Sequence, residues 1–167
     1  MPLSNWKLPN SRTKEDNLLL KYWEEAGGII FTEVFIGKGG IRKWIGDAKP
    51  RRIDGVRIIS PTKINGLLDG IITFNNFIKQ SNFQEFQQIL SGVQFEVIEI
   101  KHSLDRVVLG QVIIGADLIE MEYNLANVKQ IVICEIGDSV LENVCKKRNI
   151  AVWTPTKKFL VIRQNSV

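Results

Sequence analysis

The sequence predicts an α/β fold, and three observations support this. The chain has 167 residues, of which 44% are hydrophobic, which suits one sizeable core but not two. In some segments the apolar residues recur at helical spacing. In others, β-branched and aromatic residues form short uninterrupted runs that are typical of strands. Both kinds of segment follow one another along the chain, so we expect one α/β domain.

The first helix is predicted to begin near Thr13, a good N-cap, with Asp16 at the capping-box position. Its apolar stripe has helical spacing and consists of Leu18, Leu19, Tyr22, Trp23 and Ala26. Gly27 and Gly28 should end this helix. A strand over residues 29–36 is expected to follow.

The rest of the chain alternates between strands and helices. Further strands are expected over 52–59, 95–101 and 129–136, with a final strand or hairpin over 150–153 and 159–162. The segment 104–123 is apolar nearly all round, which predicts a buried helix. Another helix should run from its N-cap Asp138 to about Arg148. Residues 1–12 indicate an irregular arm, and 13–167 a single domain. The domain carries an insertion at about 61–93 that holds one or two short helices.

Composition limits the class of protein. The net charge of +4 is compatible with a polyanionic partner without requiring one. Cys134 and Cys145 are too few for a disulfide framework or a cysteine zinc site, so they should pack as small hydrophobic residues. The N-terminus has no apolar signal core, and no apolar run approaches the roughly 20 residues that span a bilayer. We therefore expect no membrane partner and an intracellular location, cytoplasmic or nucleoid-associated, or inside a host cell if the protein is viral.

Four polar residues interrupt otherwise apolar elements. Asp54 lies in the second strand, whereas Glu99 and Lys101 lie in the third and share one face, because side chains alternate along a strand. Gln111 stands alone in the apolar helix. A buried amide without a partner costs about 1–3 kcal/mol, so Gln111 is expected to contact the cluster. The Glu99 and Lys101 pair fits either a metal ligand beside a cation or an ion pair on an exposed sheet face.

The order of these residues resembles the signature of the PD-(D/E)XK nuclease superfamily. Asp54 followed by Glu99-Ile100-Lys101 is similar to its Asp and Glu-x-Lys motifs, and Gln111 resembles a further motif of its RecB-like and archaeal Holliday-junction-resolvase branches. The resemblance covers about residues 13–136 and implies a restriction-endonuclease-like αβββαβ core, with a central mixed sheet flanked by helices. The sequence departs from the pattern in its long gap of 45 positions (99 − 54) and in two residues, Ile53 in place of Pro and Gly115 in place of a RecB-like Tyr.

The resemblance implies a site for Mg²⁺, with Mn²⁺ as an alternative. Its metal ligands would be Asp54, Glu99 and the carbonyl of Ile100, since Mg²⁺ prefers oxygen ligands. Lys101 would orient the attacking water or offset charge on the scissile phosphate, and Gln111 would position Lys101 or the nucleotide. These residues would hydrolyse phosphodiester bonds, for which a divalent cation polarises the phosphate.

Other polar residues are candidates for the same surface. Glu33 fits equally well as an additional acid or as an exposed edge carboxylate. Cations of the Gly-bearing connection and the strand after it are expected to bind nucleic acid: Lys38, Arg42, Lys43, Arg51 and Arg52. His102 is the only histidine, so it cannot form a histidine-based metal site and should be solvated.

The sequence therefore predicts a Mg²⁺-dependent nuclease of the PD-(D/E)XK type acting on DNA. Two alternatives stay open. One is a non-catalytic nucleic-acid-binding relative of the same fold, against which the intact set of acids argues. The other is an α/β interaction protein in which Glu99 and Lys101 are only an ion pair. The sequence also leaves open whether the protein is a homodimer.

Overall fold

The architecture is a six-stranded mixed sheet with helices on both faces, seen in a computed structural model that describes residues 13–36, 51–59, 69–126 and 128–156. Its elements in chain order are α1 (Lys14–Ala26), β1 (Ile29–Ile36), β2 (Arg51–Ile58), β3 (Gly70–Thr73), α2 (Phe74–Gln80), α3 (Phe83–Ser91), β4 (Phe95–Ser103), α4 (Arg106–Tyr123), β5 (Lys129–Ile136), α5 (Ser139–Lys147) and β6 (Ile150–Trp153). The predicted α/β class and mixed sheet are confirmed.

The strands run in the order β3-β1-β2-β4-β5-β6 across the sheet. Strand β2 is antiparallel to both of its neighbours, β1 and β4, whereas β4, β5 and β6 are mutually parallel. Helices α4 and α5 make the two parallel crossovers, and their buried residues belong to the same core cluster. Helix α1 packs on the opposite face, where its apolar stripe meets Ile98, Ile100 and Trp153. The sheet is therefore covered on both sides.

Helix α1 begins and ends where the sequence predicts. The Thr13 hydroxyl accepts a hydrogen bond from the Asp16 amide at 3.1 Å, and the Asp16 carboxylate accepts one from the Thr13 amide at 2.8 Å. At the other end, Gly28 has φ +85°, and a Cβ there would lie 2.4 Å from the carbonyl oxygen of Ile58. Only glycine fits this close approach between the chain after α1 and the end of β2.

The insertion holds a strand as well as two helices, where one or two short helices were predicted. Strand β3 pairs in parallel with β1 at the edge of the sheet, and the sequence analysis did not identify it. Its pattern is only four residues long, too short for a periodicity to be recognised. Helices α2 and α3 then pack their phenylalanines edge-on around Phe31 of β1. The predicted arm 1–12 and the predicted strand at 159–162 lie outside the described residues.

Helix α4 is not buried all round, so that prediction is wrong. Val108, Val112 and Ala116 face the core, but Val107 and Ile114 are 64% and 49% exposed. The reason is architectural: α4 forms the outer layer over the sheet, so only one side of it can be covered, whatever the polarity of the other side. The two cysteines are buried, as predicted.

Candidate active site

The pairing between β2 and β4 stops at Gly55 and Ile98, and beyond this pair the two strands separate. We call the gap between them the fork. Gly55 lies opposite Ile98, so a regular continuation would set Asp54 opposite Glu99. Instead, the Asp54 carboxylate enters the fork, where its Oδ2 accepts a hydrogen bond of 2.8 Å from the Ile100 amide. A side-chain oxygen thus replaces the strand carbonyl that would normally pair with this amide. Asp54 is thereby fixed beside the backbone of the predicted Glu-x-Lys motif.

The fork coincides with a break in the alternation of β1 and β2. Val56 and Ile53 both belong to the core under α4, although three positions separate them and a regular strand would send them to opposite faces. On β1 the neighbouring irregular residue is Glu33, whose φ is +53°. In both strands, therefore, the side chains that point to the α4 face shift by one position at the level of Asp54. The Asp54 side chain does not follow the normal alternation of a strand.

Glu99 brings a second carboxylate to the same place. It is only 4% exposed, and its pKa is raised to about 8 by burial and then by the charge of Asp54 and hydrogen bonding with it. Lys101 lies two residues further along the same face, and its positive charge acts in the opposite direction on the pKa of Glu99. The structure thus brings Asp54 together with Glu99 and Lys101, which lie 45 and 47 positions later in the sequence.

Helix α4 covers this cluster with a glycine. A Cβ at Gly115 would lie 3.5 Å from Oε1 of Glu99 and 3.5 Å from the Ile53 side chain, which is ordinary contact distance. The helix backbone therefore approaches the Glu99 carboxylate with no side chain between them. Gly115, which in the sequence is only a departure from the RecB-like pattern, thus lies next to the Glu99 carboxylate.

Gln111 does not have the predicted environment. We expected a buried amide in contact with Glu99 and Lys101, but Gln111 is exposed, and its side chain forms no hydrogen bond with another described residue. It lies one turn before Gly115, on the flank of α4 and not on its buried side. Its isolation among apolar residues reflects the half-exposed helix, because an exposed face tolerates polar and apolar residues alike. We therefore leave Gln111 out of the proposed catalytic set.

The donors available for a cation are few and all oxygen. Among the described residues no group of three or more His, Cys, Asp and Glu side chains could hold a metal ion. The two carboxylates that meet at the fork are Asp54 and Glu99. Such a site suits Mg²⁺, which is commonly held by one or two carboxylates while phosphate and water complete its shell. The carbonyl of Ile100, between the two motif residues, stays a predicted further ligand.

The predicted nucleic-acid-binding residues are only partly described. Arg51 and Arg52 are exposed on β2, just before Asp54, whereas Lys38, Arg42 and Lys43 lie outside the described residues. The guanidinium of Arg52 pairs with Glu33 at 3.1 Å and lies 4.9 Å from the centre of the Phe35 ring. Glu33 is thus an exposed ion-paired carboxylate on an inner strand, which favours the surface interpretation over a role as a third acid.

A second charged cluster lies on the other face of the sheet. Arg57 belongs to the basic stretch around Asp54, but it is buried, and its guanidinium bonds to Glu96 at 2.8 Å, to Tyr22, and to the carbonyl oxygens of Ala26 and Gly27. The signal that distinguishes it from Arg52 is its place in the apolar part of β2. Arg57 is therefore structural and is not available to a phosphate.

The solvated histidine is placed as predicted. His102 is exposed, and its Nδ1 lies 2.8 Å from Oε2 of Glu135 on the neighbouring strand. It lies on the face opposite Lys101, since neighbouring residues of a strand point to opposite faces. His102 is therefore not part of the carboxylate cluster.

Comparisons with family models, with curated proteins and with solved structures found no match for this chain. None of the helices in the described ranges has the length and apolarity needed to cross a membrane.

Proposed function

We propose that this chain is a metal-dependent nuclease with a restriction-endonuclease-like fold of the PD-(D/E)XK type. The observation that carries the proposal is the pair of carboxylates at the fork, Asp54 and Glu99, with Lys101 beside them. Burial of Glu99, which is 4% exposed, raises its pKa, and the neighbouring Asp54 carboxylate raises it further, so two negative charges are unfavourable at this place. A divalent cation between them would relieve the repulsion.

The element order also supports the proposal. When the insertion with β3, α2 and α3 is set apart, the order as far as β5 is α1, β1, β2, β4, α4, β5, and α5 and β6 follow it. This is the αβββαβ sequence that the resemblance implies, with Asp54 on the second strand and the Glu-x-Lys motif on the third. Element order is a coarser criterion than a structural match, so the site carries the greater weight.

The residues have distinct tasks in this proposal. A bound Mg²⁺ or Mn²⁺ would polarise the scissile phosphate and supply an activated nucleophile. Asp54, held by the Ile100 amide, and Glu99, held under α4, would fix the position of the cation. Lys101 would stabilise negative charge that develops on the phosphate in the transition state. Arg51 and Arg52, exposed on the same strand as Asp54, would contact the backbone of DNA.

The two alternative functions, an interaction protein and a non-catalytic nucleic-acid-binding protein, do not account for the two carboxylates at the fork. In an α/β interaction protein, Glu99 would be stabilised by Lys101 alone, but here a second carboxylate shares its site and raises its pKa. In a non-catalytic nucleic-acid-binding relative, acids next to a polyanion would only weaken binding. The observed pair therefore favours a cation-dependent enzyme over both.

The test is a cleavage assay with labelled linear, single-stranded and four-way-junction DNAs in Mg²⁺ or Mn²⁺, beside a binding assay in Ca²⁺. The proposal predicts metal-dependent cleavage of at least one substrate and its loss in Asp54→Asn. DNA binding without cleavage by the wild type would replace the proposal with the binding relative. Neither binding nor cleavage would favour the interaction protein.

A further inference from the structure

Glu33 has a backbone conformation that is rare inside a strand. It lies in the middle of β1, and its φ of +53° is in the left-handed region. In the described ranges, the two other non-glycine residues with positive φ are Asn124 and Asn149, each at the end of a helix. Asparagine tolerates this region better than most residues do, and glutamate has no such preference. The conformation of Glu33 is therefore imposed by the structure around it.

The core fixes this conformation from both sides of Glu33. Phe31 and Val34 are both fully buried in the core on the α4 side of the sheet, although a regular strand would turn residues three positions apart to opposite faces. An irregular residue between them allows both to be buried. The ion pair of Glu33 with Arg52 adds little, because both side chains are more than half exposed. The feature of interest is thus the backbone of Glu33 and not its carboxylate.

This irregular position of β1 lies opposite Asp54. Thr32 pairs with Gly55 and Val34 pairs with Ile53, so position 33 falls opposite position 54, but these two positions do not pair. The seven other residues of β2 all pair with β1. On its other side, β2 pairs with β4 only as far as Gly55. In the described sheet, Asp54 is therefore the one residue of β2 that pairs with neither neighbouring strand.

We propose that Glu33 is a positioning residue of the carboxylate site, because its left-handed backbone leaves Asp54 unpaired and lets the Asp54 carboxylate turn into the fork. A residue that pairs with neighbouring strands has its side chain fixed on one face of the sheet. Asp54 is free of this constraint and reaches sideways, where its Oδ2 accepts the 2.8 Å hydrogen bond from the Ile100 amide. Irregular positions in strands re-aim side chains beside active sites in this way. The consequence for metal binding rests on the proposed function, whereas the orientation of Asp54 does not.

The first experiment measures hydrogen exchange of the Ile100 amide by NMR in metal-free protein. Glu33→Val should speed this exchange by about tenfold or more, the factor expected for loss of a hydrogen bond to a charged acceptor. The reason is that a β-branched residue disfavours positive φ, so a regular β1 would pair with Asp54 again. The Ile131 amide, in the middle of β5, should exchange as slowly as in the wild type, which distinguishes a local change from lower overall stability. Asp54→Ala gives the rate for an Ile100 amide without its acceptor.

Further variants separate the backbone of Glu33 from its carboxylate. Glu33→Gly permits positive φ, and Glu33→Gln keeps the shape of the side chain without its charge, so both should retain slow exchange at Ile100. Glu33→Thr is a second β-branched variant, better suited to an exposed position if Glu33→Val does not fold, and it should again speed the exchange. Lys129→Thr, the matched control at an exposed position of β5, should change nothing. Slow exchange at Ile100 in a folded β-branched variant, or fast exchange in Glu33→Gly, would overturn the proposal.

Calorimetry with Mn²⁺ tests the consequence for the site. Glu33→Val should bind Mn²⁺ at least about tenfold more weakly than the wild type, as expected when a residue that orients a metal ligand is lost. Glu33→Gly and Glu33→Gln should bind it as the wild type does. Weaker binding by Glu33→Gln would make Glu33 a third acid of the site and overturn its role through the backbone. A wild-type protein that binds no Mn²⁺ would count against the proposed function, and the exchange at Ile100 would still decide the role of Glu33.

Discussion

Strand β4 carries two buried acids, Glu96 and Glu99, which differ in the charge of the neighbouring side chain. Glu96 faces α1 and accepts hydrogen bonds from Arg57 and Tyr22, so its charge is matched by a cation that also bonds to two backbone carbonyls. Glu99 faces α4 and shares its place with Asp54, a second carboxylate. Both acids are less than a tenth exposed, so burial alone does not distinguish them.

The difference teaches what each cluster does. A buried acid that is paired and hydrogen-bonded holds the fold in one arrangement, and here Arg57 ties the end of α1 to β2 and β4. A buried acid that is paired with another acid is destabilising, and chains keep such pairs mainly where chemistry needs a perturbed pKa or a cation. The first cluster is structural, and the second is the proposed site.

The largest expected effect is on the free energy of unfolding, and it concerns the cluster of Arg57 and Glu96. Arg57→Met should lower the free energy of unfolding by about 3–5 kcal/mol, because it leaves Glu96 buried without its cation. The double variant Arg57→Met, Glu96→Met should recover most of this loss. Urea denaturation measures both. If the single variant were as stable as the wild type, the Arg57 cluster would not be structural.

The next effect concerns catalysis and assumes the proposed function. Lys101→Ala should reduce Mg²⁺-dependent cleavage by about 10²–10³-fold while DNA affinity in Ca²⁺ stays within a few-fold of the wild type, since its ammonium acts mainly on the transition state. Lys129→Ala, an exposed lysine at the start of β5, is the control and should cleave normally. Equal losses of cleavage and binding would assign Lys101 to ground-state binding instead.

A third effect is the pH dependence of stability without metal. The pKa of Glu99 is raised from 4.5 to about 8, so between these values the unfolded chain is ionised while the folded protein still holds the proton. The free energy of unfolding should therefore fall as pH rises through this window, by up to about 1.4 kcal/mol per pH unit. Above pH 8 this contribution should level off.

Glu99→Gln isolates this contribution, because the variant keeps the shape of the side chain and cannot ionise. In EDTA its stability relative to the wild type should increase from pH 5 to pH 8. Urea denaturation at several pH values gives the difference. A constant difference across the window would mean that Glu99 is not held protonated beside Asp54.

The smallest expected effect compares two glycines of α4. Gly110→Ala and Gly115→Ala should each gain up to about 1 kcal/mol of helix propensity. A methyl at position 110 meets nothing within 4 Å, whereas one at 115 contacts Glu99. Only Gly115→Ala should therefore weaken Mn²⁺ binding, by a few-fold, as measured by calorimetry. The same affinity in both variants would remove Gly115 from the site.

The features of the fold and site that depend on neighbouring residues in the sequence were predicted better than those that depend on contacts between distant residues. The bounds of α1 and β1 follow from local signals, such as the capping box at Thr13, and they were predicted closely. The members of the cluster, Asp54, Glu99 and Lys101, stood out because charge interrupts apolar strands. Their convergence depends on strand register, which the sequence expressed only through the family resemblance.

The features that were missed depend on packing that no local pattern records. Gln111 is exposed because another side of α4 meets the sheet. Since α4 has apolar residues on both its buried and its exposed side, the sequence pattern does not indicate which side is buried. Strand β3 has four residues and gains its stability by pairing with β1. Arg57 belongs to the same basic stretch as Arg52, and only its tertiary partners make it a buried structural residue.

The most direct test of the central claim is a crystal structure of the protein soaked in Mn²⁺, with the anomalous signal used to locate the ion. We expect one ion bridging the carboxylates of Asp54 and Glu99, with ligand distances of about 2.0–2.1 Å if Mg²⁺ takes the same place. The peak should be absent from crystals of Asp54→Asn. An empty fork at saturating Mn²⁺, with Asp54 still bonded to the Ile100 amide and Glu99 protonated, would contradict the account.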